Sequence, residues 1–355
     1  MKRTGHLYEK ICDIENITLA IENASRGKRK RNIVKKSLKN KEAAAKEVRR
    51  ILLEKAYEPA IYREKTIKDA SNKKERKIFC PKFYPDQIIH WALMQVTQPI
   101  IMKGMYEFNC GCIPGRGVHY GKRYIERWLR RDKKNTKYCL KLDIEKYYPS
   151  INKEVLKHQF ERKIKDKETL WLINKVIDSH SEGLPIGNYT SQWWANFYLQ
   201  DLDHFIKEEL RIKYYIRYMD DMVLLGSNKK KLHKARELIA KEIEPLGLKI
   251  KGNWQVFQIN SRPLDFLGFK FHRTHTTLRK RNALKIKRRA KRITKRKQCE
   301  APDARAMISY WGWIKHSNSY KFYKKNICPH IDIKKMKGVI RNESRKQNET
   351  RSSFG

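Results

Sequence analysis

The sequence predicts an α+β fold in which an antiparallel sheet is backed by helices on one face. The middle of the chain alternates strand, helix and a pair of strands. The stretches around this region carry apolar residues at the three- and four-residue spacing of helices. The paired strands are so close in sequence that a hairpin must join them, which makes them antiparallel neighbours.

Length and composition limit the class of protein. With 355 residues, 40% of them hydrophobic, we expect two or three subdomains around a substantial core. The chain shows neither a membrane-spanning length of apolar residues nor the apolar run of a signal peptide. The seven cysteines form no C-x-x-C pair, and Cys110 and Cys112 lack the companions of a zinc site. These features predict a cytoplasmic protein with reduced thiols.

Net charge indicates the kind of partner. Lysine and arginine number 82 against 38 acidic residues, which gives a net charge of +44. Solubility does not need so much charge of one sign, whereas a polyanion does, because each neutralised phosphate releases condensed counterions. We therefore expect a nucleic acid along an extended surface.

The individual elements follow from spacing and turn residues. In the N-terminal third, helices are predicted over residues 40–57, with Asn40 as the cap, and over 86–103, with a basic hairpin between them at 65–81. Another helix begins at about Val118. Further along we predict a strand at 137–143, a helix from about Lys153, a long helix within 184–210, two strands within 212–227, and a helix followed by a strand within 229–250. The stretch 279–298 then holds 12 lysines or arginines and no acid.

Three aspartates stand out within the predicted sheet. Strand alternation turns Leu140 and Leu142 one way and Asp143 the other, so Asp143 ends a buried strand but points away from the core. Asp220 and Asp221 lie at the tip of the apolar hairpin. Carboxylates in such surroundings are costly unless they are paired or bind metal. Adjacent aspartates are often ordinary turn residues, but three carboxylates from neighbouring strands suit two Mg²⁺ ions that promote phosphoryl transfer.

Several motifs occur together in a specific order. The segments "LDIEKYYPSI", "LPIGNYTSQ", "YMDD" and "DFLGFKF" follow "RKIFCPKFYPDQIIHWAL" and "CIPGRG". In this order, from about residue 60 to 272, the chain resembles the reverse transcriptases. The resemblance implies a right-hand polymerase with fingers, palm and thumb that copies RNA into DNA. It predicts an N-terminal extension and fingers at 1–105, a palm at 106–275 with part of the fingers inserted at about 150–185, a basic helical thumb at 276–340 and a flexible tail at 341–355.

The resemblance also assigns roles at the catalytic centre. Asp143, Asp220 and Asp221 would be catalytic and would hold two Mg²⁺ ions, with Mn²⁺ as a possible substitute, and the backbone carbonyl of Ile144 would also touch metal. Tyr148 would be the steric gate against the ribose 2′-hydroxyl, although Tyr147 and Tyr148 could exchange gate and core roles.

Substrate contacts are implied in the same way. The resemblance predicts dNTPs, template RNA, a DNA or RNA primer and the cDNA as partners. Nucleotide contacts are expected from Lys68, Arg76, Tyr148, Ile186, Gly187 and Gln192. Template–primer contacts are expected from Tyr218, Met219, Leu267, Gly268, Arg279, Lys280, Arg281, Lys287, Arg288 and Arg289.

Two positions depart from the common family pattern. Ile186 replaces the usual glutamine before Gly187, and Gln192 replaces the usual proline. An isoleucine cannot donate the hydrogen bonds by which polar groups reject wrong partners, so base selection should be looser. This variant resembles the reverse transcriptases of diversity-generating retroelements, which misincorporate opposite template adenines and work with a small, basic, oligomeric accessory variability protein. A substitution without effect on fidelity is the alternative.

The motifs leave the biological role of the chain open. The enzyme could be a defence-type or retron-type reverse transcriptase with a different template, or the chain could be an inactive RNA-binding scaffold. The lysine that would protonate the departing pyrophosphate could be Lys249 or Lys251.

Overall fold

The computed structural model describes the backbone of residues 3–68, 75–296 and 299–352. The predicted turn of the basic hairpin lies outside these residues. Elements of the N-terminal third are, in order, α1 (Tyr8–Ile11), α2 (Ile14–Ser25), α3 (Asn32–Lys39), α4 (Lys41–Leu53), β1 (Arg63–Lys68), β2 (Glu75–Cys80), α5 (Ile88–Met102) and α6 (Val118–Arg131).

The central part carries most of the sheet. Its elements are β3 (Tyr138–Leu142), α7 (Tyr147–Ser150), α8 (Lys153–Glu161), α9 (Lys167–Asp178), α10 (Tyr189–Tyr198), α11 (Gln200–His204), β4 (Tyr214–Tyr218), β5 (Asp221–Gly226), α12 (Lys229–Ile243) and β6 (Gln255–Gln258). The C-terminal elements are β7 (Leu264–Phe266), β8 (Phe269–Phe271), β9 (Thr276–Leu278), α13 (Lys280–Lys295), α14 (Ala301–Lys315), α15 (Tyr320–Asn326) and α16 (Ile333–Ser352).

Two compact units divide the chain. The first comprises Met1–Gly117, Leu140–Leu224 and Lys230–Gln255, and the second comprises Val118–Cys139, Leu225–Lys229 and Val256–Gly355. The predicted boundaries of fingers, palm and thumb stay a prediction.

The largest sheet has four strands in the order β4-β5-β3-β6. The apolar residues of β4 and β5 are buried, and on β3 Leu140 and Leu142 are buried while Lys141 between them is partly exposed. This is the alternation that the sequence predicts for a strand with one core face. Because the two strands of the hairpin pair directly and helices supply the rest, the predicted α+β class is confirmed.

The helices match the sequence predictions with two local differences. Helix α4 begins after Asn40 as predicted, but the Asn40 side chain makes no capping hydrogen bond. The long helix predicted within 184–210 is interrupted after Tyr198, where Leu199 has φ −97° and ψ +10°, and it ends in a π-helical turn at Phe205–Glu209. Apolar spacing continues across the break, so the sequence pattern could not reveal it.

In the second unit a small antiparallel sheet, β7-β8-β9, packs with helices. Its first turn contains Leu267 and Gly268, both with positive φ. A Cβ on Gly268 would lie 2.2 Å from the ring of Trp313, so only glycine permits this approach.

Most of the predicted tail at 341–355 belongs to a helix, and its flexibility stays a prediction. Helix α16 continues to Ser352, and Arg305 of α14 forms an ion pair with Glu343 of α16. The segment after 341 is polar but lacks proline and glycine up to the end of the helix, so helix can extend through it once α14 provides contacts. Across the described residues, every helix is too short or too polar to span a bilayer.

Candidate active site

Asp143 and Asp220 meet beside the sheet. Asp143 directly follows β3, Asp220 occupies the turn between β4 and β5, and β5 is the neighbour of β3. The charge of Asp143 lies close enough to act on the Asp220 carboxyl group. Burial and then the nearby charge of Asp143 raise the pKa of Asp220 to about 7. At neutral pH this pair therefore needs a shared proton or a cation.

Lysines lie beside Asp143 and Asp221. Lys251 Nζ is 3.5 Å from an Asp143 oxygen, and Lys141 Nζ is 3.5 Å from an Asp221 oxygen. Within the described part of the chain, no three acidic, histidine or cysteine side chains converge as a ready metal cluster. The structure thus brings together two of the three predicted acids, while the third is paired with Lys141.

The backbone after Asp143 is suited to supply a further oxygen. Lys251 N donates to Asp143 O at 2.8 Å, and Glu145 N donates to Lys249 O at 2.9 Å, on either side of the Ile144–Ile250 bridge. In this antiparallel pattern the Ile144 amide and carbonyl point away from the 249–251 segment. Two carboxylates and one carbonyl are hard oxygen donors, the type that Mg²⁺ prefers. These residues therefore fit a divalent cation.

The structure separates the roles of the two adjacent tyrosines. Tyr147 is buried, and its hydroxyl donates to the carbonyl of Ala195. Tyr148 is partly exposed, and burial, Cys112 and Asp220 raise its pKa. The charge of Asp220 acts on both tyrosines, so burial separates them: Tyr147 is the core residue, and Tyr148 is the one with an exposed part near the acidic pair.

The predicted nucleotide contacts are grouped around β2. The amide of Phe79 donates to the carbonyl of Ile186 at 2.8 Å, and a Cβ on Gly187 would lie 2.3 Å from the Phe79 carbonyl oxygen. Arg76 is exposed on the same strand and lies opposite Ile67, while Lys68 lies opposite Glu75 in the register. The Ile186–Gly187 turn therefore packs directly on the strand that carries Arg76.

The remaining predicted residues of the first unit lie on α10 and at the turn between β4 and β5. Gln192 is exposed on α10, and its backbone carbonyl accepts a hydrogen bond from Asn196 at 3.1 Å. Tyr218 is half-buried, and burial followed by Cys112 raises its pKa. Met219 is buried in the turn with φ +56°, a left-handed conformation unusual for a side chain of this size.

The sequence patterns do not predict the buried polar residues behind this turn. Arg217 and Asp203 form an ion pair with no exposure on either side chain. Arg217 lies within the apolar hairpin, and a charged residue in an otherwise apolar strand is itself a signal that a partner must exist. Its partner comes from a separate helix, which spacing along the chain does not identify.

In the second unit, the predicted basic residues fall into two groups. Arg279 donates from Nε to Asp265 at 2.6 Å, and Arg289 donates from Nε to Asp303 at 2.9 Å, so both are tied into ion pairs. Lys280 and Arg288 are exposed, and Arg281 and Lys287 are partly exposed. The exposed residues are the ones available to an external polyanion.

Comparison with known proteins places the chain in a family. A family model described as reverse transcriptase (RNA-dependent DNA polymerase) matches residues 67–271, more than half of the chain. The retron Ec73 reverse transcriptase of Escherichia coli is 30% identical over 146 residues, which cover 38% of this chain and 46% of that protein. The chain thus matches less than half the length of this curated relative.

Solved structures that are similar to this chain include two from Candida tropicalis. Apo telomerase has a TM-score of 0.46 at 14% identity, covering 62% of this chain and 48% of that chain. Telomerase with a TWJ fragment of telomeric RNA has a TM-score of 0.48 at 13% identity, covering 80% and 59%. On the strength of the family match across residues 67–271, which include the Asp143–Asp220 pair, this chain belongs to the reverse transcriptase family.

Proposed function

We propose that the chain is an RNA-directed DNA polymerase. The proximity of Asp143 to Asp220, which adjacent strands of one sheet bring about inside the family-matched segment, carries this proposal. In the reaction, a primer 3′-hydroxyl oxygen bonds to the α-phosphorus of a dNTP, and the bond from that phosphorus to the pyrophosphate oxygen breaks. Two bound Mg²⁺ ions, or Mn²⁺ ions in their place, would stabilise the charge on the attacking and leaving oxygens.

The acidic residues would divide the task of holding cations. Asp143, Asp220 and the carbonyl of Ile144 would bind them directly, and Asp221 would join after release from Lys141. Release is inexpensive, because a 3.5 Å ion pair between partly exposed groups contributes about 1 kcal/mol or less.

Other groups of the chain would act on the nucleotide. Lys251, 3.5 Å from Asp143, is better placed than Lys249 to protonate the departing pyrophosphate. Arg76 and Lys68 would bind the triphosphate, for which a guanidinium offers two parallel hydrogen bonds. Tyr148 would fill the space that a ribose 2′-hydroxyl requires.

The template–primer would lie along exposed basic residues of α13. Lys285, Arg288, Arg292 and Lys295 are exposed at intervals of three and four residues, which places them on one face of the helix. The opposite face carries Ile286, Ala290 and Ile293, all buried. A basic stripe with an apolar reverse side is suited to phosphate contacts without base selection.

A primer-extension assay on an RNA template tests the activity. Asp220→Asn should abolish dNTP incorporation and keep RNA affinity within about twofold, because a neutral amide lacks the charge with which a carboxylate holds a divalent cation. Asp201→Asn, which removes a surface ion pair with Arg162, is the matched control and should extend normally. The assay is run with and without a co-expressed accessory protein. Full extension by Asp220→Asn would reject the proposal.

For the biological role, we propose error-prone copying in a diversity-generating retroelement. Ile186 and Gln192 support this role, because both depart from the common family pattern towards that of these elements. The expected partner is a small, basic, oligomeric accessory protein that binds the enzyme and the template RNA. cDNA with substitutions concentrated opposite template adenines is the expected product.

A retron-type role is the second candidate, favoured by the 30% identity to the retron Ec73 enzyme. Sequencing the RNA that copurifies with the full chain separates the two roles. A template near-identical to a neighbouring gene segment, differing at adenines, supports the mutagenic role. A different template, without such a counterpart, supports the retron role.

A further inference from the structure

A buried polar cluster lies directly behind the catalytic turn. Arg217 is on β4, two residues before Met219, and its side chain has no exposure. Its Nη2 is 2.5 Å from Asp203 Oδ2, and its Nε is 2.8 Å from Asp203 Oδ1. The hydroxyl of Tyr215 also donates to Asp203, at 2.7 Å.

Every N–H donor of the Arg217 guanidinium has an acceptor. Two donate to Asp203; Nη1 donates to the Met219 carbonyl at 3.0 Å and to Asn196 Oδ1 at 3.2 Å; and Nη2 donates to the Asn196 carbonyl at 3.3 Å. A guanidinium has five such donors, so the set is complete. A lysine, with three donors on one nitrogen, could not reproduce it.

Fold stability alone does not explain this cluster. Taking an arginine and an aspartate out of water costs several kcal/mol per ion, and apolar residues of similar volume often stabilise a fold as well or better. The distinctive acceptor is the Met219 carbonyl. Met219 has φ +56°, a conformation that costs a residue with a side chain about 1–2 kcal/mol. The guanidinium thus holds a strained peptide immediately before Asp220.

Asn196 also contacts the chain segment on the other side of the turn. Its amide donates to the carbonyl of Gly111 at 2.6 Å. The neighbouring segment runs along β4, where Cys110 N donates to Arg217 O at 2.8 Å. A Cβ on Gly111 would lie 2.7 Å from Met219 N, so this segment touches the turn directly. The Met219 peptide is therefore held between Arg217 and Gly111.

We propose that Arg217 is a positioning residue that, with Asp203 and Asn196, fixes the Met219 peptide and thereby the direction in which Asp220 presents its carboxylate to Asp143. Its catalytic meaning rests on the proposed polymerase function. Its effect on the turn can be measured without nucleotide transfer, because it concerns only the geometry in which the turn binds a cation.

The test uses the full chain and a matched pair of variants. The double variant Arg217→Met/Asp203→Leu replaces the ion pair with apolar groups, so the fold should persist while the Met219 carbonyl loses its donor. Tyr215→Phe is the control, because it removes a hydrogen bond to the same Asp203 carboxylate and leaves Met219 untouched. Arg217→Lys is a second variant that keeps the charge opposite Asp203. Circular dichroism and the melting midpoint establish that each variant folds.

Three properties are then measured on the folded proteins. Hydrogen exchange at the Met219–Met222 amides should speed up about tenfold or more in the double variant and in Arg217→Lys. Mn²⁺ affinity, measured by electron paramagnetic resonance without nucleic acid, should fall about 10- to 100-fold, the usual effect of removing a group that orients a ligand. In primer extension, kcat should fall by a far larger factor than the change in KM for dNTP. Tyr215→Phe should match the wild type in all three.

The failure of this inference is distinct from failure of the polymerase proposal. Unchanged exchange and unchanged Mn²⁺ affinity in folded Arg217→Lys would overturn the positioning role, whatever the activity. A wild-type chain that extends no primer would count against the polymerase, and exchange at the turn would still decide the role of Arg217. If the double variant does not fold, Arg217→Lys and Tyr215→Phe give the same comparison.

Discussion

The amide of Phe79 donates a hydrogen bond to the carbonyl of Ile186 at 2.8 Å, which ties the β1–β2 hairpin to the turn before α10. This bond uses backbone atoms alone, so it leaves the Ile186 side chain free to vary. The next residue, Gly187, approaches the same strand more closely than any other residue type could, because a Cβ there would collide with the Phe79 carbonyl oxygen; its φ of +135° also favours glycine. The turn thus has a fixed backbone and a variable side chain.

Gly187→Ala should therefore separate the hairpin from the turn. The new Cβ would lie 2.3 Å from the Phe79 carbonyl oxygen, so one of the two segments must move. Since Arg76 is on that strand, we expect KM for dNTP to rise about tenfold or more, a loss of about 1.4 kcal/mol in nucleotide binding. Steady-state primer extension with varied dNTP measures it.

Gly27→Ala is the matched control for backbone strain. Gly27 also has positive φ, at +72°, but nothing lies within 4 Å of its Cβ position. It should lose some stability and keep the wild-type KM. Equal KM values in both variants would show that the close approach at Gly187 has no role in nucleotide binding.

Ile186→Gln should lower the error rate opposite template adenines. The substitution keeps the Phe79 hydrogen bond, since that bond uses the Ile186 carbonyl, and adds a side chain that can donate hydrogen bonds. A polar group left unpaired by a wrong partner disfavours that partner, so errors should fall several-fold. Sequencing of cDNA made on one RNA template, base by base, gives the rate. If the variant makes as many errors as the wild type opposite adenines and opposite the other bases, Ile186 does not have this role.

Tyr148→Ala should admit ribonucleotides. Removing the ring that lies near Asp220 opens space at the sugar, and the ratio of kcat/KM for dNTP over rNTP should drop by about tenfold or more. Tyr147→Phe is the control, because it removes only the buried hydrogen bond to Ala195. That variant should lose about 1 kcal/mol of stability and keep its sugar preference. A changed preference in Tyr147→Phe alone would reverse the assignment of gate and core.

The sequence predicts the features of this site that depend on local pattern. Alternation along β3 places Asp143 at a strand end facing away from the core, and the tight hairpin between β4 and β5 places Asp220 beside it. Which tyrosine is buried does not follow from adjacency, because both lie in the short helix α7 and only packing against Ala195 decides.

Such local patterns do not predict polar contacts between residues that are distant in the sequence. Asp203 and Arg217 are separated by a π-helical turn and a loop, and their pairing depends on how α11 packs behind β4. The ion pairs of Lys141 and Lys251 likewise depend on neighbours across the sheet or beyond it.

The stability of the protein should depend on pH through His90, a fully buried histidine on α5. Neither of its ring nitrogens has a hydrogen-bonding partner among the described residues, and burial lowers its pKa to about 3. The unfolded chain takes up the proton below a pKa of about 6.5, whereas the folded chain does not, so stability falls as the pH drops below that value. His90→Leu should raise the free energy of unfolding at pH 7 by about 1 kcal/mol and by a further 2 kcal/mol or so at pH 5. Denaturation in urea at both pH values, with His158→Gln as the exposed control, measures the difference. The same stability gain at pH 5 and pH 7 would show that His90 can be protonated in the folded protein.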